Sequence, residues 1–309
     1  MDQQLLQRIK NCKTLPAIPS LPLQVLQMCR DESVDCQKMA DTVSKDPSFV
    51  AKLLNVANSS FYGGARHKVT TVTQAVTLLG MNSIATLAFC FSLYRDLKKK
   101  QGVSFDQTRY WHRSILSSVA ARILGRWAQV PHYEEIFLAA LLQDLGMLVL
   151  SEVFGGEYGE IYSHAGSNHQ LLQQYERERF GSDHSEVGSW LAEMWELPDV
   201  MRVAVRGSHD VVLAEASDEH QMIVVCVMIS GRLADLWCDP TDEQRLHELL
   251  ILGQQYFALT PQDLVTILSN IAEAIPEYAS FFQMNLGNDE DIRHVVDMAE
   301  HSFLNAVPS

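Results

Sequence analysis

Along most of the chain, apolar residues recur at three- and four-residue spacing, the period of a helix buried on one face. The clearest run follows Asp46-Pro47, where Phe49, Val50, Leu53, Leu54 and Ala57 share a face. Asp46 is placed to cap that helix, and Pro47 takes its first position, where a missing N–H costs nothing. Asn58-Ser59-Ser60 and Gly63-Gly64 end it. Ser33 is the expected cap of a preceding helix carrying Met39, Ala40 and Val43. Further helices are predicted over 73–79, closed by Gly80, and over 82–97, where Lys98-Lys99-Lys100 complements the negative helix end. The pattern continues over 106–128, 134–150, 157–179, 184–195, 198–206, 219–237, 242–256, 261–275 (after the cap Thr260) and 288–305. No alternating strand pattern and no repeat of fixed period is visible. The expected fold class is all-α. The polar stretch 98–106 is the expected boundary between an N-terminal helical subdomain and a second bundle.

Composition adds the class of chain. Of 309 residues, 47% are hydrophobic and 20% charged, which excludes wholesale disorder and allows a core without staples. The longest apolar runs, Ile223–Ile229 and Ile84–Leu93, fall short of a bilayer span, and the N-terminus lacks the pattern of a signal peptide. The six cysteines, Cys12, Cys29, Cys36, Cys90, Cys226 and Cys238, form no C-x-x-C pair and read as reduced thiols. A cytoplasmic location and no membrane partner are expected.

Charge is unevenly spread. Residues 1–133 carry 17 Lys+Arg against 8 Asp+Glu, and residues 134–309 carry 7 against 30. The basic part holds one candidate anion site, Arg66, His67 and Lys68 beside Gly63-Gly64, with Lys98–Lys100 as a second basic run. No motif of aromatic and basic residues accompanies it, so a nucleic-acid partner is not expected.

The polar residues with chemical potential lie in the second bundle. They are His112 after Trp111, Gln143-Asp144 within an apolar run, His184 before Ser185-Glu186-Val187-Gly188, and Ser208-His209-Asp210. An acid among so many apolar neighbours needs a partner, because burying it alone is costly. No P-loop, G-x-S-x-G or G-x-G-x-x-G occurs.

These segments resemble the HDOD family, the HD-related output domain of bacterial signalling proteins. The matching stretches are Leu15-Pro16-Ala17-Ile18-Pro19 with Leu21-Pro22, Asp46-Pro47-Ser48-Phe49 to Asn58-Ser59, and Ala75-Val76-Thr77-Leu78-Leu79-Gly80. They continue in order with Trp111-His112-Arg113-Ser114, Leu141 to Gly146, His184 to Gly188 and Trp195-Glu196-Leu197-Pro198. The resemblance covers roughly residues 14–210. It implies an HD-like helical bundle over about 106–237, an N-terminal subdomain over about 14–100 and a helical extension over 238–309.

It also implies a comparison with HD-type metal-dependent phosphohydrolases. Those need His and Asp ligands around a metal that lowers the pKa of bound water. His112 matches the first His, and Asp144 matches the Asp of the His-Asp pair, but Gln143 replaces its His partner. A carboxamide is a poor substitute for imidazole on a transition metal. Ser230 or Gly231 stands where a later Asp is expected, with Asp235 nearby, and Ser208-His209 stands where two histidines often occur. The expected role of His112 and Asp144 is a buried pair linking two helices. The vestigial positions are thus His112, Gln143, Asp144, His184 and His209. The function implied is a non-catalytic signal-transduction module with no cofactor and no resident metal. It would bind a signalling protein, a fused or separate GGDEF-type domain, a nucleotide second messenger or a second copy of itself. The alternative is a degenerate HD phosphohydrolase acting on a nucleotide or cyclic dinucleotide, with a divalent metal at His112 and Asp144.

Overall fold

The computed structural model describes residues 3–12, 15, 24, 25, 27, 28, 31, 33–59, 68–97, 105–131, 133–240 and 243–304. Among them every regular element is helical and no strand is present. The chain forms two compact units. One comprises Ala17–Lys100 and Pro276–Met284, and the other Met1–Pro16, Gln101–Ile275 and Asn285–Ser309. Residues 238–309 thus contribute to both.

In the smaller unit, α2 (Cys36–Val43) is capped by Asp35, whose side chain accepts from the Lys38 N–H, and not by Ser33. Ser33 instead donates to Asp31. Asp46 caps α3 (Pro47–Ala57), accepting from the backbone N–H of Ser48 and Phe49. A reciprocal Thr71–Gln74 capping box opens α4 (Val72–Leu79), and Gly80, at φ 83°, turns the chain into α5 (Met81–Leu97). Phe49, Phe91 and Phe281 pack in sequence, the first pair tilted and the second edge-to-face, with ring centroids 6.0 and 6.2 Å apart. Asn58 locks the segment before α4 by accepting from Val69 N–H and donating to Val69 C=O, both at 2.8 Å.

The larger unit is built around α6 (Gln107–Trp127). Its residues Ser114–Gly125 are all buried, so this stretch of the helix has no solvent face. Packed directly on it are α7 (Tyr133–Leu142) and α13 (Asp218–Cys238). Beyond them α11 (His184–Met194) packs on α8 (Leu145–Phe154) and on α12 (Asp199–Arg206), which in turn packs on α7 and α13. The helix α1 (Gln3–Asn11) lays Arg8 over the Phe154 ring at 4.3 Å. Beyond α13 come α14 (Glu243–Phe257), α15 (Pro261–Phe282) and α16 (Asp289–Phe303). Trp237 donates to the Ile292 carbonyl at 3.2 Å, tying α13 to α16.

Three expected boundaries differ. The stretch 134–150 is two helices, because the chain breaks at Gln143-Asp144. The stretch 157–179 is also two, α9 (Gly156–Ala165) and α10 (His169–Phe180), separated at Gly166 with φ 56°. The helix expected to stop at Ile275 continues through Pro276 to Phe282. Pro276 removes one N–H but does not end the helix. Two stretches, Glu135–Phe154 and His220–Cys238, do reach the length and apolarity of a bilayer span, contrary to the reading from runs alone. Both are largely buried in the bundle, and the first contains the break at Asp144.

Candidate functional site

Four side chains converge where helix ends meet in the larger unit. Asp144 precedes α8 with no side-chain capping bond, so its carboxylate is free to turn inward. His169 is the first residue of α10, after the cap Asn168. His184 is the first residue of α11, after the cap Asp183. His209 lies in the turn after α12. One nitrogen from each histidine and one Asp144 oxygen lie within 4.8 Å of one another.

The distances are specific. Asp144 Oδ1 faces Nε2 of His169 at 3.3 Å, of His209 at 3.6 Å and of His184 at 3.7 Å. His184 Nε2 and His209 Nε2 are 2.7 Å apart. Glu176, fully buried, holds the other side of His184, with Oε2 2.6 Å from Nδ1 and also accepting the His184 backbone N–H. Tyr158 donates its hydroxyl to Glu176 Oε1 at 2.7 Å. Close helix approach permits this geometry. A Cβ on Gly146 of α8 would fall 2.0 Å from the His184 carbonyl oxygen of α11.

The charge states follow from the surroundings. Burial pushes His169 and His209 down to about 4, and the nearby Arg113 charge adds to the effect, so both are neutral at pH 7. The positive ends of α10 and α11 favour neutral imidazole as well, by up to about 1 kcal/mol each. Burial acts the same way on His184, but Glu176 outweighs it and raises that group. Burial opposes the Asp144 charge, yet Arg113 and then His169 hold its carboxyl well below the usual carboxylate range.

The other Asp144 oxygen has a different partner. Arg113 Nη1 donates to Asp144 Oδ2, while Nε and Nη2 grip Asp235 at 2.7 and 3.3 Å. One guanidinium therefore joins α6, α13 and the start of α8. Gly231, one turn before Asp235, leaves room for it. A Cβ there would lie 2.9 Å from Gln143 Oε1 and 3.0 Å from Arg113 Nη2.

The residues singled out from sequence separate at this point. Asp144, His184 and His209 come together. His112 does not, because one residue along α6 is about 100° of rotation, and it is Arg113 that faces Asp144. His112 instead meets the Cys238 thiol, Nδ1 to Sγ 3.6 Å. The expected His112–Asp144 pair is thus replaced by Arg113–Asp144. Gln143 is fully buried, and neither of its amide atoms has a hydrogen-bond partner among the protein atoms. Lys68 is exposed, and Arg66 and His67 lie outside the described residues. Sequence reasoning missed His169, Arg113 and Glu176. A signal for His169 existed, since Asn168-His169 repeats the cap-then-histidine order of Asp183-His184.

An HD-type metal at the His112, Gln143 and Asp144 positions does not fit these residues. The donor set there is reduced to one carboxylate oxygen and a neutral amide, and a fixed guanidinium spans the two carboxylates. A cavity of about 270 Å³ adjoins the histidine cluster, lined by Arg113, His169, His209, Arg232 and Arg245 among others.

The fold has counterparts. A solved HDOD domain protein of unknown function from Geobacter sulfurreducens superposes with a TM-score of 0.70, at 20% identity over 92% of this chain and 97% of that one. A "Putative phosphohydrolase" from Shewanella amazonensis SB2B gives 0.69, at 20% identity over 91% and 97%. A "Putative signal transduction protein" from Marinobacter aquaeolei VT8 gives 0.61, at 22% identity over 89% and 65%. An uncharacterized protein of Treponema pallidum (strain Nichols) is 21% identical over 226 residues, 70% of this chain, and the match spans 41% of that protein. These likenesses establish the HD-like helical fold. The family model of the HDOD domain matches residues 15–211, well over half of the sequence, and the chain belongs to the HDOD family.

Proposed function

We propose that the chain is a non-catalytic signal-transduction module that works by binding a partner protein. One observation carries this reading. Arg113 bridges Asp144 and Asp235 from inside the bundle, so a side-chain cation is paired with Asp144, the carboxylate that an HD phosphohydrolase would give to a metal. A guanidinium supplies charge and hydrogen bonds but no vacant position for an activated water. The same bridge joins three helical segments, which suits a bundle whose output is its packing. A regulatory link to cyclic-dinucleotide signalling is the finer form of this proposal.

The test has two arms. Purified chain is incubated with cyclic dinucleotides and a chromogenic phosphodiester in the presence of Mg²⁺, Mn²⁺ or Zn²⁺, with no turnover expected. The chain is then used as bait in an extract of its native host, where a signalling protein or GGDEF-type domain should be retained. Turnover that disappears with chelator would overturn the non-catalytic reading. Failure to retain any such protein would overturn the partner-binding reading.

A further inference from the structure

We infer that His169, His184, His209 and Asp144 form a binding site for one transition-metal ion of the Zn²⁺ class, in which three of the vestigial positions, Asp144, His184 and His209, are joined by His169 while His112 and Gln143 take no part.

The geometry comes first. Around a tetrahedral ion with ligand bonds of about 2.0–2.1 Å, neighbouring donor atoms stand about 3.3–3.4 Å apart. The separations from Asp144 Oδ1 to the three Nε2 atoms are 3.3, 3.6 and 3.7 Å. The His184–His209 separation, 2.7 Å, is shorter and would widen by about 0.6 Å on coordination, and the two separations from His169 to these histidines lie within 4.8 Å. Three imidazoles and one carboxylate make an N₃O set, which suits Zn²⁺ and its neighbours and not Mg²⁺ or Ca²⁺.

Independent features point the same way. Asp144 is 1% exposed, yet its Oδ1 lacks a hydrogen-bond partner of good geometry, and so does His169 Nε2 opposite it. Buried polar atoms are seldom left so, and an ion between them would satisfy both. Glu176 meets Nδ1 of His184 at 2.6 Å, the arrangement in which a carboxylate fixes the tautomer and leaves Nε2 for the metal. Arg113 takes only Oδ2 of Asp144 and leaves Oδ1 toward the histidines. The adjoining cavity supplies an entry path. Four protein ligands close the coordination shell, which marks a structural or sensing ion and agrees with a module that does no hydrolysis.

The site is tested on the full chain by Zn²⁺ titration against a chromophoric chelator, after chelator treatment and dialysis. One Zn²⁺ per chain is expected, with no competition from Mg²⁺. His169→Ala and His209→Ala should each weaken binding at least about 100-fold, and Glu176→Gln about 10- to 100-fold. His112→Ala and Gln143→Met should bind as the parent does. Zinc absorption spectra should show only nitrogen and oxygen neighbours at about 2.0–2.1 Å, with imidazole outer-shell scattering. Zn²⁺ should raise the melting temperature of the parent and leave that of His209→Ala unchanged, which guards against a variant that is merely unstable. No stoichiometric binding, or equal affinity in the parent and in a folded His209→Ala or His169→Ala variant, would overturn the site.

Discussion

His184 and His209 meet nitrogen to nitrogen, Nε2 to Nε2 at 2.7 Å. Only one proton can lie between them, because two facing N–H groups would collide and two facing lone pairs would repel. Glu176 accepts from Nδ1 of His184 on the opposite side. The metal-free protein should therefore show a strongly downfield imidazole N–H resonance assignable to His184 Nδ1. Glu176→Gln should move it upfield, and Zn²⁺ should remove the proton shared with His209. Proton NMR with nitrogen-15 histidine labelling checks both.

Arg113 is a buried cation with two carboxylate partners on different helical segments. Arg113→Ala should cost about 3–5 kcal/mol, because it leaves Asp144 charged and buried without its main partner. Asp235→Asn should cost less, since the Asp235 side chain is 16% exposed and water can take its place. Urea denaturation of the two variants would show the order.

Gly146 and Gly188 let α8 and α11 approach to backbone contact. A Cβ at Gly146 would lie 2.0 Å from the His184 carbonyl oxygen and 2.7 Å from the Gly188 nitrogen. No side-chain adjustment relieves a clash with backbone. Gly146→Ala should cost more than an ordinary overpacking change of about 1–3 kcal/mol, and it should displace His184. Thermal melts and the histidine resonances would report both effects.

Gln143 is the reverse case. Its amide is desolvated without a partner, a state worth about 1–3 kcal/mol of penalty. Gln143→Met keeps the length and removes the polar atoms, so stability should be unchanged or rise by about 1 kcal/mol. Loss of more than about 1 kcal/mol in urea titration would show that the amide has a role.

Asp46 links helix capping to pH in the smaller unit. Burial works against its charge, but the Ser48 hydroxyl, Arg95 and the Phe49 N–H outweigh it and hold the carboxyl below its ordinary value. The folded chain thus keeps this group ionised at pH values where the unfolded chain protonates it. Its contribution is present above about pH 4 and is lost as pH falls through the folded value. Asp46→Ala should cost about 1 kcal/mol at pH 7, and the gap to the parent should narrow below pH 4. Urea midpoints at pH 7 and pH 3 decide it.

Local patterns were enough for the helices. The caps Asp46 and Thr260 read directly because a cap acts within three residues of itself. Ser33 misled because Asp35, two residues on, competes for the same helix start and wins with a closer carboxylate. The break at Asp144 was not legible, since the apolar run continues across it and only packing shows where the chain turns. The break at Gly166, by contrast, had a signal in Gly166-Ser167-Asn168, a helix stop followed by a cap.

The sequence by itself determined the all-helical class, the order of the family's segments and the presence of Asp144, His184 and His209, because period, caps and motif order are properties of the chain. The tertiary structure alone decided which polar groups meet. It chose Arg113 over His112 by one residue of helical phase, and it brought His169 from a helix start 25 residues from Asp144. Such choices depend on helix rotation and on glycine-sized gaps, which are set by contacts between elements distant in sequence.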